Sequence, residues 1–269
     1  MSLKTFGFIG CGNMGGALAA SVARTVGGEN VLLCDKDAEK ASALAAALSA
    51  AAVTASELVC RCDCIFLGVK PQMFAEMISE IRKDVSERTI PPLFVTMAAG
   101  LTISAVLEML GLPTPIVRIM PNTPVSVGEG MILYTAAADV ADDLLSELVV
   151  ALGKAGRLVR ISEEKIDAAS AVSGCGPAFA YLFIEALADA GVECGLARSD
   201  ALIFASQMLL GSARLLLESG QHPGALKDAV CSPGGTTIAG VHALEEGGFR
   251  AAAMNAVVAA YKRTLELKK

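Results

Sequence analysis

Three glycines near the start of the chain have the spacing of a phosphate-binding turn. Gly10, Gly12 and Gly15 form the pattern Gly-x-Gly-x-x-Gly between the apolar run Phe6–Gly10 and a helical pattern that begins at Met14. In such a turn the first glycine allows the bend, the second lets a pyrophosphate approach the backbone, and the third lets the helix pack on the strand. The N–H groups at the helix start attract the phosphates, aided by the helix dipole. The predicted phosphate-binding residues are Gly10, Cys11, Gly12, Asn13, Met14 and Gly15.

An acidic residue stands at the end of the next predicted strand, about 20 residues after Gly15, where a ribose-binding group is expected. Asp35 would accept hydrogen bonds from the ribose hydroxyls of NAD(H). Lys36 beside it would either pair with the 2′-phosphate of NADP(H) or be a solvated lysine in a turn. The sequence leaves the choice between NADH and NADPH open.

Two further strand ends should reach the same crevice, because ligands of open parallel sheets bind beyond the carboxyl ends of the strands. At the first, Lys70 would face the cofactor or be a lysine at a helix entry. At the second, the small residues Ala98, Ala99 and Gly100 would leave room for the nicotinamide riboside. The cofactor-binding candidates at these two ends are Gly68, Val69, Lys70, Pro71, Ala98 and Ala99.

Two loops of small residues in the second half of the chain each lead directly into a helical pattern. One is Ser173–Ala178 and the other is Cys231–Thr237. Main-chain N–H groups and threonine hydroxyls at a helix start form a site for a carboxylate without any basic side chain. The alternative is a pair of ordinary helix caps, for which serine and threonine are common. We predict substrate binding at these loops, with the candidates Ser173, Ser232, Gly234, Gly235, Thr236 and Thr237.

Strands and helices alternate up to residue 162, and helices alone follow. The alternation predicts a Rossmann-type α/β domain over residues 1–162, with a mostly parallel sheet and helices on both faces. Residues 163–269 are predicted to form an all-α domain. The predicted strands are Phe6–Gly10, Val31–Cys34, Cys64–Val69, Leu93–Met97, Ile116–Ile119, Met131–Tyr134 and Arg157–Ile161. The predicted helices are Met14–Val26, Ala38–Leu48, Gln72–Ile81, Ser104–Leu110, Ala141–Leu152, Glu163–Ala171, Pro177–Cys194, Ser199–Ser219, Pro223–Val230, Thr236–Glu246 and Phe249–Leu267.

Composition narrows the classes of function. The 269 residues carry 22 basic and 28 acidic side chains, a net charge of −6, which argues against nucleic acid or an anionic membrane as the main partner. The mean hydropathy is +0.56, but proline and glycine interrupt the longest uncharged stretches, so we expect no membrane-spanning helix. We expect the apolar excess to be buried in parallel strands and an oligomer interface. Eight cysteines without a Cys-x-x-Cys pair, and two histidines, predict reduced thiols that act as small hydrophobic residues in the cytoplasm, and no metal site.

Several segments together resemble one enzyme family along essentially the whole chain. They are the Phe-Ile-Gly-x-Gly-x-Met-Gly start, Gly68–Pro71, Arg118–Pro124, Ser173–Ala178 and Leu226–Ile238, and they are similar to pyrroline-5-carboxylate reductase. The Ser-Pro-Gly-Gly-x-Thr segment is specific to this family. The resemblance implies a cytosolic enzyme that uses NADPH or NADH to reduce the C=N bond of 1-pyrroline-5-carboxylate to L-proline, the final step of proline biosynthesis. It also implies a homodimer formed through the helical domain, and dimers of this family often assemble into a decamer.

The resemblance also assigns roles to residues. Thr237 matches the threonine that hydrogen-bonds the ring nitrogen of the substrate, and the Gly234–Thr237 backbone would hold its carboxylate. Substrate contacts map to Glu163, Val230, Thr236 and Thr237. Cofactor contacts map to Gly10–Gly15, Asp35 and Lys36, Gly68–Pro71, Met97, Ala98 and Ala99. The chain departs from the family at Cys175, where a serine is usual, and at Ala55 and Ser56, where an asparagine is often found.

Reduction of a cyclic imine needs few protein groups, because the cofactor supplies the hydride and the protein supplies orientation. Thr237 would orient the proton on the ring nitrogen, which solvent or the protonated substrate supplies. One alternative is a β-hydroxyacid or 6-phosphogluconate-type dehydrogenase, which would need a catalytic lysine. Lys165 is the only lysine near the domain junction, and its acidic neighbours indicate a solvated turn. The other alternative is a non-catalytic dinucleotide-sensing protein.

Overall fold

The chain divides into two compact units. The computed structural model describes residues 3–266, so the predicted end of the last helix, Leu267, lies outside the described residues. The first unit contains the residues up to Gly174 together with the segment that starts at Tyr261, and the second is Cys175–Ala260. Helix Glu163–Ser173 therefore belongs by its contacts to the first unit.

The first unit is built on a sheet that has eight strands within residues 3–266. The strands are β1 (Phe6–Ile9), β2 (Val31–Cys34), β3 (Ala51–Ala52), β4 (Cys64–Leu67), β5 (Leu93–Thr96), β6 (Ile116–Met120), β7 (Gly130–Ala136) and β8 (Gly156–Arg160). Their spatial order is β3-β2-β1-β4-β5-β6-β7-β8, and among these pairs only β6 and β7 run antiparallel. The predicted mostly parallel sheet is confirmed. The strand order reverses between β1 and β4, and ligands of such sheets bind at this switch point.

The described helices agree closely with the predicted ones. They are α1 (Asn13–Val26), α2 (Ala38–Leu48), α3 (Ala55–Arg61), α4 (Phe74–Ser86), α5 (Ile103–Leu110), α6 (Asp142–Ala151), α7 (Glu163–Ser173), α8 (Gly176–Glu193), α9 (Arg198–Ser219), α10 (Pro223–Ala229), α11 (Thr236–Glu246) and α12 (Phe249–Glu266). Helix α4 begins later than predicted because Pro71 starts a 3-10 turn, and it continues past Ile81 because Val85 extends its buried face. The short elements β3 and α3 were not predicted.

The core of the first unit lies on both faces of the central strands. Every residue of β1, β4 and β5 is buried, as is typical of parallel strands covered by helices on both sides. Phe8 and Phe66 on the neighbouring strands β1 and β4 stack with ring centroids 4.4 Å apart. This packing holds in place the two strands whose ends flank the switch point.

Three of the cysteines are buried, three are partly buried and two are exposed. All eight are free. Burial raises the pKa of Cys11 to about 11 and that of Cys62 to about 12, and it raises the pKa of Cys64 well above its usual value. These three are small hydrophobic residues, as predicted. Cys60 and Cys194 are exposed, so the prediction that these two thiols act as small hydrophobic residues is wrong.

The second unit consists of helices with little core of their own. Helices α8 and α9 pack against each other. The ring centroids of Phe183 and Phe249 lie 5.5 Å apart. Large apolar side chains remain exposed, among them Leu182, Phe204 and Met254.

Two helical stretches, Glu163–Glu193 and Arg198–Ser219, are long and apolar enough to cross a membrane by length and composition alone. Those two properties do not distinguish a membrane span from a helix that packs against another protein chain.

A buried arginine ties the sheet of the first unit to helix α7. Arg118 on β6 is 1% exposed, and its guanidinium lies 3.2 Å from Glu163 Oε1 and 3.1 Å from Asp167 Oδ1. The Asp167 side chain is itself 5% exposed. Breaking a buried ion pair is costly, because the remaining charge has neither water nor a partner charge.

We therefore expect Arg118→Met to lower the free energy of unfolding by about 3–5 kcal/mol, measured by urea denaturation. The matched control is Arg61→Met, which removes an exposed pair with Glu57 and should cost less than about 1 kcal/mol. Equal losses in the two variants would contradict the structural role given to Arg118.

Candidate active site

The glycine-rich turn presents a helix start to an open space. Gly10 has a φ of +101°, which favours glycine, and its N–H donates to the Cys34 carbonyl at 2.8 Å. Helix α1 follows, with Gly12 at its N-cap and no side chain bonded to its first N–H groups. A Cβ atom at Gly12 would find no atom within 4 Å. This space and the unsatisfied N–H groups suit a phosphate.

Gly15 and Gly68 are required by close backbone contacts. A Cβ atom at Gly15 would lie 2.0 Å from the Gly10 carbonyl oxygen, and one at Gly68 would lie 2.9 Å from the same oxygen. Strand β1, helix α1 and the end of β4 therefore meet at one carbonyl group. The packing role predicted for Gly15 agrees with this geometry, whereas Gly68 was predicted as a cofactor contact at a strand end, without a packing role.

A cavity of about 500 Å³ lies at the switch point, where β1, β2 and β4 end. Seven of the predicted cofactor residues line it: Gly10, Gly12, Asp35, Lys36, Gly68, Val69 and Lys70. The remaining lining residues were not predicted: Ile9, Cys34, Lys40, Ala55, Met73, Met77 and Glu80. The α4 residues among these follow from the helix packing beside the cavity, and no local motif marks them.

Asp35, one of the two acidic residues that line the cavity, is held by main-chain donors. Asp35 Oδ2 accepts from the Cys11 N–H at 2.6 Å, and Oδ1 accepts from the Asp37 N–H at 3.0 Å. The carboxylate is therefore joined directly to the glycine-rich turn. Carboxylate oxygens have further lone pairs that can accept from ribose hydroxyls.

Lys36 is paired rather than free. Its Nζ lies 2.8 Å from Glu76 Oε2, and both side chains are more than half exposed. The hydrogen bond that Lys36 donates to Glu76 raises the pKa of Lys36. Binding of a 2′-phosphate by Lys36 would have to compete with this carboxylate.

Several predicted cofactor residues do not line the cavity. Met97, Ala98 and Ala99 follow β5, and Ala98 is buried. Cys11 lies in the turn, and Asn13, Met14 and Gly15 form the first part of α1. Pro71 opens the 3-10 turn Pro71–Met73.

In the second unit, the predicted substrate loop ends in a helix start with glycine at the N-cap. Gly234 has a φ of +66°, and the Gly235 N–H donates to the Ser232 carbonyl at 3.0 Å. Helix α11 then begins at Thr236, and no side chain caps it. Thr236, Thr237 and Ser232 are exposed, as is Val230 at the end of α10. The turn therefore presents main-chain donors and three hydroxyls on a surface of this unit.

In the first unit, the predicted substrate residues Glu163 and Ser173 stand at the two ends of α7. Glu163 Oε1 accepts from the Ile103 N–H at 2.7 Å and from Arg118 at 3.2 Å. The Ser173 hydroxyl donates to the Ala169 carbonyl at 3.2 Å. The Ser173 carbonyl accepts from Asn122 Nδ2 at 3.0 Å.

Arg118 and Asn122 thus hold the two ends of α7, and sequence reasoning gave neither a role. Arg118 belongs to the otherwise apolar strand Ile116–Met120. A charged residue in such a run is seldom buried without a partner charge. That was the signal available in the sequence, but it does not identify the partner.

Metal ligands are not clustered in the part of the chain that the structure describes. Residues 3–266 contain no group of three or more histidine, cysteine, aspartate or glutamate side chains placed to hold a metal ion.

Two glycine variants separate packing from ligand binding. Gly15→Ala should lower the free energy of unfolding by about 1–3 kcal/mol, because the new methyl group meets a backbone carbonyl. Gly12→Ala should leave stability within about 0.5 kcal/mol of the parent but raise the Kd for a reduced dinucleotide, because the methyl group fills the open space at the helix start. Urea denaturation and fluorescence titration measure the two effects. Unchanged dinucleotide binding by Gly12→Ala would contradict the phosphate site.

Comparison with known proteins matches both parts of the chain. Residues 163–267 match the family described as pyrroline-5-carboxylate reductase dimerisation. Residues 5–91 match the family described as NADP oxidoreductase, coenzyme F420-dependent. Over 271 aligned positions the chain is 40% identical to the pyrroline-5-carboxylate reductase of Escherichia coli (strain K12), with 99% of each chain covered.

Solved structures agree over the full length. The chain is similar to Plasmodium falciparum pyrroline carboxylate reductase with NADP bound, at a TM-score of 0.88 and 33% identity, with 100% of both chains covered. It is also similar to a pyrroline-5-carboxylate reductase from Coxiella burnetii, at a TM-score of 0.90 and 30% identity over 100% of both chains. The chain belongs to the pyrroline-5-carboxylate reductase family.

Proposed function

We propose that this protein is an NAD(P)H-dependent reductase that transfers a hydride to the C=N bond of 1-pyrroline-5-carboxylate and so forms L-proline, the final step of proline biosynthesis. The observation that carries the proposal is the likeness of the whole chain to pyrroline-5-carboxylate reductases, at 40% identity over 99% of both chains. Absorbance of the reduced nicotinamide, followed after adding pyrroline-5-carboxylate to the purified protein, tests it directly. Turnover of hydroxyacids alone would support a dehydrogenase, and dinucleotide binding without turnover would support a sensor.

The cavity of the first unit fits a dinucleotide. The main-chain N–H groups of the Gly10–Gly15 turn would bind its pyrophosphate, since the space beyond Gly12 is open. Asp35, held beside the turn by two main-chain donors, would bind the adenosine ribose. When bound, the reduced nicotinamide supplies the hydride. The other proposed contacts are Lys36, Gly68, Val69, Lys70, Pro71, Met97, Ala98 and Ala99.

The turn before α11 would bind the substrate carboxylate. The main chain of Gly234–Thr237 provides N–H donors at a helix start, where the helix dipole also favours an anion. The Thr237 hydroxyl would hydrogen-bond the ring nitrogen and orient its proton. A neutral threonine is a poor acid, so we assign the proton itself to solvent or to the protonated imine. The further proposed substrate contacts are Glu163, Ser173, Val230, Ser232 and Thr236.

The structure gives no support for the catalytic lysine that a hydroxyacid dehydrogenase would need. Lys165 is exposed on α7. A ketone substrate would need a stronger acid or electrophile than a threonine to stabilise the developing alkoxide. An iminium carbon accepts a hydride without such a group, which favours the imine.

We also propose that the helical domain, taken as residues 163–269, joins two copies of the chain into a homodimer and that dimers assemble further into a decamer. The exposed Leu182, Phe204 and Met254 and the dimerisation family matched over residues 163–267 support the dimer. The free thiols suit a reducing cytoplasm. The net charge of −6 disfavours nucleic acid and anionic membranes as partners.

Thr237→Ala should lower kcat/KM for the imine by about 10- to 100-fold, as expected for losing a hydrogen bond to a charged group, while the Kd for the dinucleotide stays the same. Thr237→Ser keeps the hydroxyl and is the matched control. Steady-state kinetics of both variants make the comparison. Equal losses for alanine and serine would remove the hydroxyl from the mechanism.

Asp35→Ala should lower kcat/KM for NADH by about tenfold or more, since a charged hydrogen-bond partner of the ribose is lost. The loss of kcat/KM for NADPH should be smaller, because the same change removes a negative charge from the surroundings of its 2′-phosphate. The control is Asp37→Ala, which removes the cap of α2 at about 1 kcal/mol and should affect both dinucleotides alike. An unchanged NADH to NADPH ratio for Asp35→Ala would mean that this carboxylate does not contact the ribose.

A further inference from the structure

Helix α4 carries two carboxylates towards the end of β2, where Asp35 and Lys36 stand. Glu76 and Glu80 are four residues apart on this helix, so they share one of its faces. Glu76 Oε2 accepts from Lys36 Nζ at 2.8 Å, and Glu80 lines the cavity at the switch point together with Asp35 and Lys36. The residues next to the proposed ribose site therefore include two acidic groups from a distant part of the chain.

Both chain neighbours of Asp35 are influenced by these carboxylates. The hydrogen bond that Lys36 donates to Glu76 raises the pKa of Lys36, and the charge of Glu80 acts in the same direction. Burial raises the pKa of the Cys34 thiol, and the charges of Asp35 and Glu80 raise it further. The end of β2 is thus a region of negative charge in which the ammonium group of Lys36 already has a partner.

Two other lysines line the same cavity, but they belong to other parts of it. Lys70 follows β4, which is separated from β2 by β1 in the sheet. Burial raises the pKa of the Cys11 thiol, and the charge of Lys40 counteracts part of this increase, so Lys40 acts on the glycine-rich turn. A basic residue beside the ribose-binding position is the usual partner of a 2′-phosphate, and here that residue is Lys36.

NADH and NADPH differ at one position, the 2′ substituent of the adenosine ribose. In NADH it is a hydroxyl, which can donate to the Asp35 carboxylate. In NADPH it is a phosphate with a charge of about −2. This phosphate would have to displace Glu76 from Lys36, or share the lysine and lie beside the Glu76 carboxylate. Like charges placed side by side in this way disfavour one ligand without any effect on the other.

We propose that Glu76 is a specificity-determining residue of the dinucleotide site: it occupies the ammonium group of Lys36 and so makes the site select NADH over NADPH. This inference rests on the proposed function and goes beyond it, because that proposal leaves the choice of dinucleotide open. Asp35 favours NADH by accepting from its ribose, whereas Glu76 acts only against the phosphate of NADPH. Lys36 becomes a phosphate ligand when Glu76 is removed.

The first test measures the Kd of both dinucleotides by fluorescence titration of the full chain. We expect the parent to bind NADH at least about tenfold more tightly than NADPH. Glu76→Gln should lower the Kd for NADPH about 5- to 10-fold, because the freed ammonium group gains a charge-assisted hydrogen bond to the phosphate. The Kd for NADH should stay within about twofold, because the 2′-hydroxyl does not need Lys36. The Glu76 side chain is 61% exposed, so the variant should fold like the parent.

The matched control removes an equal charge from the other end of the same helix. Glu87 is the C-cap residue of α4, and it forms an exposed pair with Lys83. Glu87→Gln should leave the Kd of both dinucleotides within about twofold of the parent, because exposed charges far from the cavity are screened by salt. A gain in NADPH binding by this control equal to that of Glu76→Gln would show an effect of net charge alone and would overturn the inference.

A double-mutant cycle separates competition for Lys36 from general repulsion. In a Lys36→Gln background, Glu76→Gln should lower the Kd for NADPH by less than about twofold, because there is no ammonium group to release and an exposed carboxylate without a partner can turn away from the phosphate. A gain that persists in this background would overturn the inference. So would a parent that binds NADPH more tightly than NADH, or a Glu76→Gln variant in which both Kd values change alike.

Failure of the proposed function gives different results. A parent that binds neither dinucleotide would refute the proposed dinucleotide site and this inference with it. A parent that binds NADH but does not reduce pyrroline-5-carboxylate would refute the reductase activity alone, since the selection between the dinucleotides is measured by binding and not by turnover.

Discussion

The close approach of three backbone segments at the Gly10 carbonyl determines the geometry of the first unit. A side chain at Gly15 would lie 2.0 Å from that oxygen, and one at Gly68 would lie 2.9 Å from it. Because only hydrogen atoms fit there, α1 starts directly beyond the edge of the sheet, beside the cavity that Gly10, Gly12 and Gly68 line. Any larger residue would push the helix from the strand, and the phosphate-sized space would lose its donors.

Main-chain N–H donors at the starts of helices explain how an acidic chain can bind anions. The net charge is −6, yet both proposed ligands carry negative groups. Helices α1 and α11 begin after a glycine N-cap, whereas α2, α3 and α5 begin after a side chain that bonds to the first turn. A glycine at the N-cap leaves the helix dipole and the amide donors accessible. The binding power therefore comes from the main chain, and the charged side chains can serve solubility and orientation.

Local patterns predicted the fold and much of the dinucleotide cavity because those features follow from short stretches of sequence. The glycine spacing, the apolar strands and the acidic residue at the end of β2 are each visible within a few residues. The pairing of Lys36 with Glu76, and of Arg118 with Glu163 and Asp167, joins residues from distant elements. Sequence reasoning could flag Arg118 as a charge in an apolar strand, but only the sheet order and the packing of α7 supply its partners. The 3-10 turn at Pro71 similarly delayed α4, since a proline at a helix entry predicts a start but not its exact residue.

The exposed apolar surface of the second unit is explained if this unit packs against a second protein chain. Its helices expose Leu182, Phe204 and Met254, and a helix with apolar residues around most of its surface is stable only when those residues are covered. A membrane or a protein partner can cover them. The family match that spans residues 163–267 is a dimerisation family, and a second copy supplies the same apolar surface by symmetry. In such an arrangement the folding of the helical domain depends on association, so the stability of the helix that carries Thr237 depends on protein concentration.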